Sequence, residues 1–311
     1  MYSLIVPIYN NFDSLPDLLK IITQLNQDLN KQLEAIFVVD GSPDNSYHFL
    51  RTHLPQCNFP AKTLLLARNF GSFAAIRAGL QAASGQYFAV MAADLQEPPH
   101  LILDFFQALK NNEADITLGI RTQRDDPLLS RISAELYWYF YRHFVQKDMP
   151  AGGVDVFACN RTVRDWILNL EESHSSLIGL LFWIGFRRKF VPYHRLKRIH
   201  GKSAWSFRKK LRYLNDSVFS FTDLPIRLLI NIGVIGMIVS IIYALFLLTA
   251  RVFHLIQLPG YTTTLLVILF FTALNTLSLG IIGSYVWRAF ENSKKRPQVI
   301  VMTTDTFENE S

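Results

Sequence analysis

Two aspartates stand where a chain that handles charged ligands would place them. Asp40 ends the apolar run Phe37-Val38-Val39, and Asp94 follows Phe88-Ala89-Val90-Met91 after two further residues. One acid just past a buried strand is commonly a helix cap or turn former. Two of them, at the ends of two strands, point further, because open α/β sheets take their ligands at the carboxyl ends of the strands. The glycine-rich phosphate cradles are missing. No GxGxxG follows the first strand, and Gly201-Lys202-Ser203 is not a P-loop, since Leu196 stands where its first glycine should be. Phosphate, if bound, must be held by a metal or by arginine.

The elements that must position these acids can be read from periodicity. Leu4-Ile5-Val6 reads as a strand, and Leu15, Leu18, Leu19, Ile22 and Leu25 recur at helical spacing. Ile36 to Val39 is the next strand, with a short helix after Pro43. Then come the strand Thr63 to Leu66, a helix over Ala74 to Ala83, the strand Tyr87 to Met91, a helix from His100 to Lys110 and the strand Ile116 to Leu118. Repeated strand and helix predict a largely parallel sheet with helices on both faces.

The 311 residues are half hydrophobic and only 18% charged, which excludes disorder. The apolarity is concentrated: Leu228 to Ala250 and Leu265 to Trp287 hold no charge. Each run reaches roughly 34 Å as a helix, enough for a hydrocarbon core of about 30 Å. Two transmembrane helices in a hairpin are expected, rather than a pair of buried helices in a soluble core. Arg187 to Arg212 holds eleven Lys and Arg and no acid, and Arg288, Lys294, Lys295 and Arg296 follow the second run, while the connection carries only Arg251. Both ends should therefore face the cytoplasm. Within the basic run, Arg208, Lys209, Lys210 and Arg212 with Trp205, Phe207, Leu211, Leu214, Val218 and Phe219 read as an amphipathic helix docked on anionic lipid; no nucleic-acid motif accompanies them. No signal peptide is expected. Cys57 and Cys159 lack any CxxC spacing, so neither a disulfide framework nor a cysteine-built zinc site is expected.

Ile5-Val6-Pro7-Ile8-Tyr9-Asn10, Val39-Asp40-Gly41-Ser42-Pro43-Asp44, Arg68-Asn69-Phe70-Gly71, Ala93-Asp94-Leu95-Gln96-Glu97-Pro98-Pro99 and Arg198-Ile199-His200-Gly201-Lys202-Ser203 fall in a recognisable order. In them the chain resembles the inverting GT-A glycosyltransferases that act on polyprenyl phosphates, the group of dolichol-phosphate mannose synthase, bactoprenol glucosyltransferase and undecaprenyl-phosphate aminoarabinose transferase. The resemblance implies an α/β fold with a GT-A (Rossmann-like) catalytic domain over residues 1–200, a juxtamembrane amphipathic segment at 201–224, two transmembrane helices within 225–290 and a cytosolic tail at 291–311.

It also implies chemistry. Asp94 and Gln96 match metal-binding positions, for Mg²⁺ or Mn²⁺, with Asp94 also catalytic. Tyr9 and Asp40 match contacts to the nucleoside, with Pro7 shaping the turn. Arg198 and Ser203 match a loop near the donor diphosphate, and Asp155 an acid near the reacting centre with an orienting or electrostatic role. Arg121, Arg124 and Arg131, after the strand at 116–118, are the expected clamps for the acceptor phosphate, since a guanidinium grips two phosphate oxygens at once. The implied partners are a nucleotide sugar of UDP or GDP type, undecaprenyl phosphate and an anionic membrane; homo-oligomers are left open. The implied location is the bacterial inner (cytoplasmic) membrane, multi-pass. The chain departs from the pattern at Val39, Ala92, Asn11 and Ala134, where relatives carry Asp, Asp, Glu and Ser. A catalytically silent scaffold and a processive polysaccharide synthase are the competing readings. The second is disfavoured, because two spans hardly build a channel and no QxxRW follows.

Overall fold

The structure is a computed structural model, and it describes residues 1–122, 139, 141–143, 146–150, 153–154, 156–170, 172, 176–196, 216–253 and 260–308. The sequential elements are β1 (Tyr2–Ile8), α1 (Leu15–Asp28), β2 (Leu33–Val39), α2 (Ser46–His53), β3 (Ala61–Leu66), α3 (Ser72–Ala82), β4 (Tyr87–Val90), α4 (Pro99–Lys110) and β5 (Ile116–Arg121). They are followed by β6 (Phe157–Asn160), α5 (Arg161–Asn169), α6 (Leu177–Trp183), β7 (Arg188–Tyr193), α7 (Leu224–Val252), α8 (Tyr261–Ser293) and β8 (Val301–Phe307). The strands form one sheet in the order β7-β5-β6-β4-β1-β2-β3-β8. β1 to β4 are mutually parallel, as are β5 and β7, while β6 and β8 run antiparallel to their neighbours.

Both faces of the central strands are buried, which explains why β1, β2 and β4 read as largely apolar runs. Leu4, Val6 and Ile8 of β1 with Leu33, Ala35, Phe37 and Val39 of β2 pack against α1, α2 and α4. Ile5, Ile36 and Val38 point the other way, to α3, α5 and α6. Successive residues of a strand face opposite sides, so this alternation is the period of two made visible. α5 opens on Asn160, whose side chain accepts from Val163 N at 3.0 Å and caps the helix.

α7 and α8 contain the two uncharged runs, and both are long and apolar enough to cross a membrane. Their apolar side chains are bare: Ile235 is 61% exposed, Phe270 63% and Leu279 69%. Leaving so much apolar area to water is costly, and a bilayer would cover it. Residues 216–221 are helical and lie against the carboxyl-terminal part of α8, where Arg288 pairs with Asp216 at 2.7 Å and the Tyr285 ring packs on Phe219. Gly179 of α6 receives the ring of Phe221; a Cβ there would come within 2.4 Å of it. Arg208, Lys209, Lys210 and Arg212 lie outside the described residues.

The segment after α8 returns to the sheet. β8 pairs with β3 from Ala61↔Phe307 to Leu66↔Val301, and the Tyr47 hydroxyl donates to Asp305 at 2.8 Å. The tail that the sequence sets apart at 291–311 thus supplies the eighth strand and covers the edge of β3.

Candidate active site

β1 lies between β4 and β2, so the chain proceeds from it to one side through β2 and β3 and returns on the other through β4. Such a reversal leaves a crevice at the carboxyl ends of the strands. Here the β1–β4 ladder ends for a covalent reason. The β1–β4 ladder runs from Tyr2↔Tyr87 to Ile5↔Val90 and ends with Met91 N donating to Ile5 O at 3.0 Å. The next bond of a parallel ladder would come from the N–H of residue 7. Pro7 has none, so β1 and β4 part there while β1 and β2 stay paired to Ile8↔Val39. Tyr9 is exposed at the opening, and Asn10 takes a left-handed φ of 55°.

The loops after β1 and β2 are locked together. Ser42 Oγ accepts from Asn10 N at 2.8 Å and donates to Asp44 at 2.7 Å, and Asp44 also accepts from Phe12 N at 3.0 Å and Ser46 N at 3.2 Å. Burial alone would raise the Asp44 carboxyl, but these bonds outweigh it and hold it below the usual range. Asn10, Phe12, Asp13, Pro43, Asp44 and Asn45 line an open cleft of about 430 Å³.

Asp40 is buried at the end of β2, and its two oxygens accept from Phe70 N at 2.7 Å and Gly71 N at 2.8 Å. It thereby fixes the Arg68-Asn69-Phe70-Gly71 loop that leads into α3. Burial pushes its carboxyl up, and the two backbone bonds only partly offset this. Gly41 beside it must be glycine: φ is +57°, and a Cβ would stand 2.3 Å from the backbone carbon of Arg68.

Asp94 sits in a loop anchored from three directions. Ser14, at the start of α1, donates to Ala93 O at 2.7 Å. The buried Glu97 accepts from Ala92 N at 3.3 Å. Gln96 is tied to the exit of β7: its carbonyl accepts from Leu196 N at 2.9 Å, its amide donates to Leu196 O at 3.2 Å, and its amide oxygen accepts from Arg195. Between Asp94 and Gln96, Leu95 holds a left-handed φ of 57°, a conformation costing a leucine about 1 kcal/mol or more and kept only by such anchors. Arg121 ends β5 opposite Tyr193, at the same end of the sheet.

Residues 3–213 match the Glycosyl transferase family 2 profile. The chain belongs to that family. This family 2 glycosyltransferase is 31% identical over 301 residues, 97% of its length and 91% of the relative's, to a protein of Bacillus subtilis (strain 168) named as glycosyltransferase CsbB. It is 28% identical to a prophage bactoprenol glucosyl transferase homolog of Escherichia coli (strain K12), covering 96% of this chain and 97% of that one. Among solved structures, the mannosyltransferase PcManGT from Pyrobaculum calidifontis, in complex with GDP-Man and Mn²⁺, aligns with a TM-score of 0.47 at 13% identity over 92% of this chain and 87% of that one. The family's GT-A fold is the three-layer α/β arrangement described above.

Within it, Pro7, Tyr9, Asp40, Asp94, Gln96 and Arg121 all lie at the carboxyl end of the sheet. Arg124, Arg131, Asp155, Arg198 and Ser203 lie outside the described residues. No group of three acid, histidine or cysteine side chains that could hold a metal occurs among the described residues. Asp94 offers hard oxygens, Ala92 offers none, and the Gln96 oxygen is on Arg195. This donor set fits a divalent cation that brings ligand oxygens of its own. Sequence reasoning gave no role to Ser42, Asp44 and Glu97, which it met only within motifs, and passed over Ser14 and Arg195. Asp44 and Ser42 carried a signal, the turn chemistry of Asp-Gly-Ser-Pro-Asp. Arg195 carried none, as one of eleven cations in its run.

Proposed function

We propose that this enzyme moves a single sugar from a nucleotide sugar of UDP or GDP type to a polyprenyl phosphate, undecaprenyl phosphate in bacteria, with inversion at the anomeric carbon. The observation that carries this is the end of the β1–β4 ladder at Pro7, with Asp94 on one side, the Asp44 cleft on the other, and two membrane-length helices on the same chain. The bactoprenol transferase homolog supports the acceptor class.

The reaction is a single displacement. An acceptor phosphate oxygen attacks the anomeric carbon while the bond to the donor diphosphate breaks, and its electron pair leaves with the nucleoside diphosphate. A phosphate monoester, with a second pKa of about 6, is already largely dianionic at neutral pH and needs positioning more than deprotonation. Arg121, with Arg124 and Arg131, serves that positioning, and Asp155 orients the reacting centre. Tyr9 and the loop held by Asp40 receive the nucleoside, and Arg198 and Ser203 approach the diphosphate. Bound Mg²⁺ or Mn²⁺ would offset the growing charge on the leaving diphosphate, held by Asp94.

β8 supports a membrane arrangement. A strand that comes after the second span pairs with β3, which precedes the first, so two crossings leave the domain and the tail on one side. The cations flanking the spans favour the cytoplasm for that side.

Mass spectrometry of lipid products tests the reading, with purified protein, undecaprenyl phosphate and a panel of UDP-, GDP- and dTDP-sugars. The expected product is the lipid phosphate plus one sugar. A ladder of sugars would make the enzyme processive, and no product from any donor, even with an Ala92→Asp variant, would leave the scaffold reading.

A further inference from the structure

β7 treats its cations in two ways. At its amino end Arg187 pairs with Asp115, Arg188 with Asp148 and Lys189 with Glu113. Two residues past its carboxyl end, Arg195 has no carboxylate partner among the described residues. Its Nη2 donates instead to the amide oxygen of Gln96 at 2.5 Å. A guanidinium held by a neutral amide keeps its full charge for another partner, and its planar fork of N–H groups suits two phosphate oxygens at once.

The place of this cation narrows the partner. Its tether, Gln96, is two residues from Asp94, and the adjoining Leu196 exchanges a further two hydrogen bonds with Gln96. The Arg195 side chain is therefore fixed to the Asp94 loop, on the donor side of the crevice, while the two residues before it, Tyr193 and His194, pair with Arg121 and Thr122 at the end of β5. Ala92 deepens the need for it, because a methyl group gives no oxygen to a cation and leaves more of the leaving-group charge to be met by other means.

We propose that Arg195 binds the diphosphate of the donor, and that Gln96 is the positioning residue that aims it there. The proposal rests on the nucleotide-sugar reading above. It gives Gln96 a role that needs no metal: the amide holds the arginine, and the arginine meets the phosphate.

Equilibrium binding to the full-length protein in detergent tests this, with UDP and GDP against uridine and guanosine, each in Mn²⁺ and in EDTA. For the diphosphate that the wild type binds, Arg195→Met should weaken binding about tenfold or more in both buffers, leaving the nucleoside unaffected. Arg195→Lys should recover part of the loss, since a point charge replaces the fork. Gln96→Leu should lose less, should lose it in EDTA as well, and should add nothing to Arg195→Met, as expected of two residues acting through one contact.

Unchanged diphosphate binding by Arg195→Met, or an equal loss for the nucleoside, overturns the assignment. A Gln96→Leu loss confined to Mn²⁺ buffer overturns the tether and makes Gln96 a metal ligand. If Arg195→Met keeps UDP or GDP but loses undecaprenyl phosphate in the same assay, the arginine serves the acceptor and the proposal fails. Wild-type protein that binds no nucleoside diphosphate sinks this proposal together with the functional reading; indifference to Arg195→Met in a protein that binds and transfers sinks this one alone.

Discussion

The two ends of the sheet use the same residue types to opposite effect. At the amino end, the buried Glu34 accepts from Ser3 Oγ at 2.5 Å, Ser84 N and Oγ at 2.6 Å each and Gly85 N at 3.0 Å, joining β1, β2 and the turn before β4. Burial alone would raise its carboxyl, but these bonds outweigh burial and lower it. Nearby, Asp115 takes Arg187 and Asn160 and is likewise held low, chiefly by the arginine. At the carboxyl end, Asp40 is pushed up by burial, Arg195 rests on a neutral amide, and Leu95 and Asn10 hold left-handed backbone. One end closes its charges with partners and gains stability. At the other, Asp44 is closed by partners in the same way, but Asp40 and Arg195 keep charge in reserve for a ligand.

The contrast breaks first at Asp94. Asp94→Asn or Asp94→Ala should lower sugar transfer by at least about a hundredfold with the protein still folded, because the acid's work is on developing charge. Full transfer by the folded Asp94→Ala protein, or in excess EDTA, would show that arginines alone carry that charge.

Glu34→Gln should do the reverse, costing about 1–3 kcal/mol of stability while folded protein keeps its nucleotide affinity. An amide turns an N–H₂ toward donors that expect oxygen. The pH dependence sharpens the point. Below the ordinary carboxylate range the unfolded chain takes up a proton that folded Glu34 refuses, so its contribution, present at neutral pH, is lost as pH falls through the lowered value. Thermal unfolding in detergent from pH 7 downward should show a shallower acid decline for the variant; an unchanged decline would remove Glu34 from the stabilising end.

Asp40→Asn should fall between the two. It leaves one of the Phe70 and Gly71 N–H groups facing an amide, so nucleoside affinity should drop severalfold with a stability loss of about 1 kcal/mol. A stability loss without an affinity loss would move Asp40 to the structural class. The smallest effect is expected at Asp305→Asn, where a half-buried pair with Tyr47 and Arg51 is weakened at the sheet edge. Its stability change should stay within about 1 kcal/mol, with transfer activity unchanged.

Periodicity and strand-end position were enough to place β1 to β5, the two apolar helices and both acids at the ligand end. These are local properties: a strand buried on both faces is an apolar run, and a charge must wait until the run ends. What the sequence could not disclose is which distant segments meet. β8 is exposed from Val301 through Thr304 and looks like a tail until β3 supplies its partner, more than two hundred residues earlier and across two apolar helices. The bond from Arg195 to Gln96 spans 99 positions, and nothing in its run of cations separates Arg195 from its neighbours. Hydrogen-bonding capacity is written into each residue type, but the partner that uses it is chosen by the packing of the whole sheet. Periodicity therefore determined the fold class and the charged ends, and the tertiary structure alone decided which charges are closed by partners and which are kept for a ligand.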